Sequence, residues 1–267
     1  YVLLMHLLGR HPSDRIQAVA ETILSRQRAQ GGWSGGDGNG ALLDLSISVR
    51  CYFALKLAGW DAESEPLRRA REAILLHGGV DQANGVTRIL MARFGQIPYF
   101  KCPAIPPEIL LLPPRAPLSL FQIPAASRVM LVALSLIWST RQEHAVPLEQ
   151  GISELFVTSP QQMQPCAVGR PVVSAKWPPM AWIVRSAERT VSWLERHRCY
   201  VLRPGALVFA QRWRCDRVIN GDEAVSSFAL TFWTAIGLAS IPGKRRENEL
   251  AACERSLERI CHEEGID

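Results

Sequence analysis

Gln27-Arg28-Ala29-Gln30-Gly31-Gly32-Trp33-Ser34-Gly35 sets the architecture of this chain. Gly31 and Gly32 can take a positive φ and end a helix without a Cβ penalty. Gln27 and Trp33 stand where an amide and an indole can close over such a turn. The stretch therefore reads as a joint between two helices. Taken alone, it fits a helix C-cap with one buried Trp, or a loop whose Gly, Gln and Trp carry chemistry. The segments on either side decide between the two.

Upstream, Tyr1 to Leu8 reads as the end of a buried helix. Asp14 with Gln17 offers a capping-box start for a helix running to about Ala29. Downstream, Ala41 to Ala58 carries Leu43, Ile47, Tyr52, Phe53, Leu55 and Leu57 among few charges, which predicts a mostly buried helix ended by Gly59. A charged helix follows from about Glu65 to His77, with Glu65 and Arg69 spaced to pair at i,i+4, and stops at Gly78-Gly79. Its polarity makes it an outer helix. A less charged helix then runs from about Asn84 to Phe94 and ends at Gly95. The alternation returns late in the chain. Arg185 to His197 is charged, Asn220-Gly221 turns, and Ala224 to Ile241 is nearly free of charge. Repeated pairs of a polar outer helix and an apolar inner one suit an α/α barrel or an α-solenoid, because no single pair can bury its inner helix alone. No strand-like alternation is long enough to compete. The expected class is all-α.

The 267 residues carry 48% hydrophobic and 21% charged residues and a net charge of +5, a globular composition with a mild basic excess. The basic residues sit beside acids, as in Arg68-Arg69-Ala70-Arg71-Glu72, and read as solvated helix faces. Nucleic acid is not an expected partner, whereas anionic lipid headgroups are compatible with the charge. The seven cysteines form no C-x-x-C pair and no ligand spacing with the six histidines, so neither a metal site nor a disulfide framework is expected, and a reducing cytosolic setting is the simplest account. Cys261-His262 lies in a charged helical segment without a second ligand pair. Tyr1 to Gly9 is apolar but lacks the basic start and cleavage site of a signal peptide, and the chain reads as opening inside a helix. The uncharged run Val129 to Thr140 is twelve residues long, too short to span a bilayer. Attachment to one face of a membrane stays open.

The middle of the chain differs. Pro98, Pro103, Pro106, Pro107, Pro113, Pro114, Pro117 and Pro124 forbid a long regular helix and surround an apolar run, Ile109-Leu110-Leu111-Leu112. That run suits either an apolar surface that meets lipid or substrate, or a rigid crossing packed on the barrel. Ala125 to Thr140 returns to helix, and Thr158 to Pro179 reads as an exposed loop.

Several segments together resemble the amino-terminal half of the squalene–hopene cyclases. They are Tyr1 to Leu4, Gln27 to Trp33, Tyr52 to Gly59, Arg69 to Ile74, Thr87 to Ile89, Phe94 to Pro98, Pro103 to Ile109 and Glu154 to Thr158. The resemblance is collinear to about Thr158 and resumes weakly at Ala181-Trp182, at Asn220 to Glu223 and through the last two helices. It implies an all-helical α/α barrel (toroid) of helix pairs, residues 1–267 forming the amino-terminal barrel domain with 158–180 as an exposed loop and the carboxy-terminal catalytic barrel absent. It implies a family that cyclises squalene to hopene by an acid-initiated carbocation cascade, with aromatic side chains stabilising the cations. No cofactor and no metal are implied. The implied partners are squalene or a related apolar isoprenoid, a membrane surface held monotopically, and a carboxy-terminal half or a second copy of the chain. The implied location is the cytoplasmic side of a bacterial inner membrane. In that family the joint is called a QW motif, and Gln27, Gly32 and Trp33 are its structural residues here.

The departures from the family pattern bear on activity. The family acid is the middle Asp of an Asp-Xaa-Asp-Asp run, and no two aspartates here lie closer than Asp216 and Asp222. An acid able to protonate an alkene needs neighbours that keep its proton poised, so no catalytic residue is expected in these residues. Where the family has an aromatic within a Ser-Trp-Ala-Arg-like stretch, this sequence has Ala125-Ala126-Ser127-Arg128. The resemblance implies one residue lining a substrate cavity, Phe228, where the family's Phe-Pro or Gln-Pro pair aligns with Phe228-Ala229, against the alternative of ordinary packing. Arg88, in an apolar helix, is expected to pair with a carboxylate or a helix end. The isolated chain is expected to be inactive. The alternatives are an isoprenoid-binding or half-enzyme barrel module, and a decayed gene fragment.

Overall fold

The computed structural model describes residues 1–10, 13–35, 42–115, 119, 122, 124–165, 203–210, 228–240 and 246–263. Every regular element among them is helical, as expected for an all-α chain. The chain divides into two compact units. Of the described residues, the first holds those in 1–102, 143–165 and 261–263, and the second holds those in 103–142, 203–210, 228–240 and 246–260.

In the first unit, α1 (Val2–Leu7) is buried along nearly its whole length. Helix α2 (Ser13–Ser25) buries Ile16 and Ala20 and leaves Asp14 and Glu21 exposed. It ends four residues before the expected Ala29, and Asp14 lies inside its first turn rather than at a cap. Gln17 does not close a capping box either: its amide reaches across to the Ala58 carbonyl at 2.8 Å. His6 makes a parallel contact with the Leu57 carbonyl at 2.9 Å, so α1 and α2 both fasten to the chain at Leu57 and Ala58.

Helix α3 (Leu45–Leu57) is the axis of this unit. Asp44 caps it by accepting from the Ile47 amide. From Tyr52 to Ala58 every residue is buried, which only an inner helix can sustain. Helix α4 (Glu65–Leu76) is the outer partner, burying Leu67, Ala70, Ala73 and Ile74 at helical spacing. Its exposed pair joins Glu65 to Arg68 at i,i+3 rather than to Arg69, whose guanidinium is used elsewhere. Helix α5 (Gly85–Arg93), capped by Asn84, is inner again, and Thr87 to Arg93 are all buried. Phe53 of α3 meets Phe94 edge to face at 5.0 Å between centroids. The alternation of outer and inner helices read from charge is therefore the packing order observed.

In the second unit, the proline-rich segment contributes a 3-10 turn, Pro107–Leu111, which lies on α6 (Ala125–Thr140). Leu110, Val132, Leu136 and Ala210 form a buried cluster, the last from a helix at residues 203–210 (α7). Leu110 alone of the run Ile109 to Leu112 is buried, Ile109 packs on that cluster, and Leu111 stays 40% exposed. Helix α8 (Phe228–Ala239) buries Phe232, Trp233, Ala235, Ile236 and Leu238 and packs along α6. Helix α9 (Arg246–Glu263) buries Leu250, Cys253 and Leu257. The charged segment Arg185 to His197 and the turn at Asn220-Gly221 lie outside the described residues, as does most of the expected 158–180 loop. Its described start is exposed except at half-buried Pro160 and buried Met163.

Candidate functional site

The joint closes through hydrogen bonds from its own side chains. Gly31 turns the chain at φ +93°, and Gly32 does not take a positive φ. What Gly32 supplies is room: a Cβ there would collide with the Leu43 side chain and lie 2.8 Å from Ser48 Oγ. The Gln27 amide donates to the Gly31 carbonyl at 2.7 Å and to the Pro66 carbonyl, in the first turn of α4, at 2.8 Å. The buried Trp33 indole donates back to the Ile23 carbonyl of α2 at 2.7 Å. The Trp33 amide donates to Ser48 Oγ of α3 at 2.9 Å, and Arg69 of α4 donates to the Ala29 carbonyl at 2.8 Å. The sequence predicts a joint between two helices; the structure fastens α2, α3 and α4 together at one place. Gly31→Ala should lower stability by about 1–2 kcal/mol for the left-handed backbone alone. The clash of its Cβ with the Arg69 carbonyl adds to that. Urea unfolding checks this, and an unchanged midpoint would contradict the close approach.

A second constellation lies between α3 and residues 151–154. Lys56 is 8% exposed and donates to Glu154 Oε1 at 2.7 Å and to the Gly151 carbonyl. Tyr52 donates its hydroxyl to the same carboxylate oxygen at 2.8 Å. Burial works against the charge on Glu154, but hydrogen bonds from Lys56, from its own backbone and from Tyr52 prevail and hold its pKa below the ordinary value. Burial, reinforced by the Glu154 partner, pushes the Tyr52 hydroxyl far up, so it stays a donor. Burial also pushes the Cys51 thiol up to about 12, which removes it as a nucleophile at neutral pH. Nothing in the reading of the sequence joined Lys56 to Glu154. The signal was a single Lys in the apolar run Tyr52 to Ala58, and a single acid in Ile152 to Val157.

Among the described residues Arg88 finds no carboxylate. Its guanidinium donates to the main-chain carbonyls of Asp81, Ala83, Lys101 and Gln164, the last at 2.8 Å. Of these, Asp81 and Ala83 belong to the end of the 3-10 turn Val80–Gln82, so the helix-end half of the expectation is the one that holds. In the second unit, Arg203 pairs with Glu108 at 3.0 Å and lies 5.6 Å from the Trp138 ring centroid, with the Arg141 guanidinium also over that ring at 5.0 Å. Phe228 is the first residue of α8 and Ala126 the second of α6; their side chains lie outside the described residues.

A sequence profile of the squalene–hopene cyclase N-terminal domain matches residues 1–265. The chain belongs to the squalene–hopene cyclase family. It is 29% identical over 217 residues to squalene–hopene cyclase of Alicyclobacillus acidocaldarius, covering 81% of this chain and 33% of that protein. With the Bradyrhizobium diazoefficiens squalene–hopene cyclase it shares 33% identity over 233 residues, 85% of this chain and 34% of the relative. With that of Zymomonas mobilis it shares 38% over 161 residues, 59% and 24% respectively. The chain thus spans about a third of the length of the first two squalene–hopene cyclases. The α/α-barrel class expected from the helix pairs is that of the squalene–hopene cyclase N-terminal domain. Among the described residues no three His, Cys, Asp or Glu side chains form a metal-binding group, and no helix is long and apolar enough to cross a membrane.

Proposed function

We propose that this chain is the N-terminal barrel domain of a squalene–hopene cyclase-type protein of triterpenoid (hopanoid) biosynthesis. Its role is structural toward the chemistry: it supplies one wall of an apolar cavity that holds squalene or a related isoprenoid, with Phe228 on that wall. The joint at Gln27, Gly32 and Trp33 acts as a QW motif, stiffening the barrel rather than touching substrate. Attachment is monotopic, to the cytoplasmic face of a bacterial inner membrane. The alkene-protonating acid comes from a carboxy-terminal half, because these 267 residues hold no Asp-Xaa-Asp-Asp run.

The observation that carries this reading is the N-terminal-domain match over residues 1–265. The buried, hydrogen-bonded joint supports a folded barrel over a decayed fragment. The test incubates the purified 267-residue chain with squalene, alone and together with the carboxy-terminal part of one of these relatives, and analyses products by gas chromatography and mass spectrometry. The chain alone is expected to yield no cyclic product. Cyclisation by the isolated chain would overturn the assignment of the acid. Squalene that leaves tryptophan fluorescence unchanged would overturn the cavity-wall role.

A further inference from the structure

Residues 143–165 cross the first unit without an α-helix of their own; only the 3-10 turns Leu148–Gln150 and Ser153–Leu155 interrupt them. Such a segment cannot satisfy its own backbone, so its polar groups look to neighbours. The His144 amide donates to the Arg93 carbonyl at 2.7 Å, and the His144 ring stands edge-on to Phe94. The Ile152 amide donates to Gln96 Oε1 at 2.9 Å. Lys56 takes the Gly151 carbonyl and the Glu154 carboxylate together. Asp81 accepts from the Val157 amide at 2.9 Å and from the Thr158 hydroxyl, and Arg88 holds the Gln164 carbonyl. Buried Ile152, Leu155 and Met163 are the apolar pegs between these ties.

The ties are linked to one another. The end of α5 and the turn after it, Arg93 to Gln96, serve both 144 and 152. Lys56 serves both 151 and 154. Asp81 holds 157 and 158 with its carboxylate, while its own carbonyl accepts from the Arg88 guanidinium that serves 164. The Leu155 amide donates to the Ile152 carbonyl, joining the second group to the first. Loss of residues 151–154 would also strip Lys56 of both acceptors at a buried site, which a partial release cannot relieve.

We propose that residues 143–165 form a strap that opens and closes as one unit on a base made by α3 and α5, with the Lys56–Glu154 contact as its catch. This is a local opening distinct from unfolding of the helix pairs. The test is hydrogen–deuterium exchange with mass spectrometry on the full 267-residue chain, comparing wild type, Glu154→Gln and Asp81→Asn. In each variant, peptides at both ends of the strap, around His144 and around Met163, should exchange about tenfold faster along with those at 150–158, a factor of the size of one lost hydrogen bond to a charged group. Peptides from α3 and α5 should exchange more slowly than the strap in wild type and in each variant, since they open only when the helix pairs unfold. Acceleration confined to the peptide that lost its own hydrogen bond would overturn the single unit. Strap peptides that already exchange as slowly as α3 and α5 in wild type, or no change in either variant, would overturn the strap as a separate element.

Discussion

Replacing Trp33 by Ala should lower the unfolding free energy by about 3–5 kcal/mol, the range for deleting a buried Trp side chain. Trp33 is 3% exposed, and its indole N–H is bonded to the Ile23 carbonyl, so the substitution opens a cavity and strips a buried acceptor together. Trp33→Phe separates the two: it keeps most of the packing and loses the hydrogen bond, and should cost about 1–3 kcal/mol. Gln27→Ala should fall in the same smaller range, since its amide serves two carbonyls but remains partly exposed. Chemical denaturation followed by circular dichroism gives all three values. A Trp33→Ala midpoint equal to wild type would show that the joint is not closed in solution.

The second large effect is expected at Lys56. Glu154→Ala leaves an ammonium in a site that is 8% exposed, with one carbonyl as remaining acceptor, and should cost about 2–4 kcal/mol, somewhat under the fully buried range because Glu154 itself is 23% exposed. Lys56→Met, combined with it, removes the stranded charge. The double variant should therefore be more stable than Glu154→Ala alone, and a double-mutant cycle should give a coupling of at least about 1 kcal/mol. Strict additivity would show that the pair is not formed. The pH dependence follows from the direction of the Glu154 shift. Its folded pKa is depressed, so its contribution is complete above the unfolded value of about 4.3 and disappears as pH falls through the folded value. Glu154→Gln should flatten that acid limb while leaving the profile near pH 7 parallel to wild type. An unaltered acid limb would assign it to other carboxylates.

Much of the first unit was legible because its helices announce themselves locally. Asn84 is a cap of ordinary type at the expected start of its helix, Gly59, Gly78 and Gly95 take positive φ where a helix stops, and the charge on α4 falls on the face away from Leu67 and Ile74, whereas α3 starts at Leu45 behind its Asp44 cap and not at the expected Ala41. Errors arose where a side chain chose a distant partner over a near one. Gln17 fits a capping box by spacing but reaches the Ala58 carbonyl, and Arg69 fits an i,i+4 pair with Glu65 but closes on the joint. Local spacing states which contacts are available and is silent on which competitor lies closer after folding. The Lys56–Glu154 contact was illegible for the same reason, its partners being separated by 98 residues. The family was legible from the joined segments, because collinear matches do not depend on long-range geometry.

Each acceptor that the Gln27 amide and the Trp33 indole use is a main-chain carbonyl: Gly31, Pro66 and Ile23. The clamp therefore senses the path of the neighbouring backbone and not the side chains displayed there. Positions 23 and 66 are free to change identity as long as the helices keep their course. A fastening with this property is transferable: the same few residues can be copied to another turn of the chain, and the helices around each copy can then diverge without loosening it.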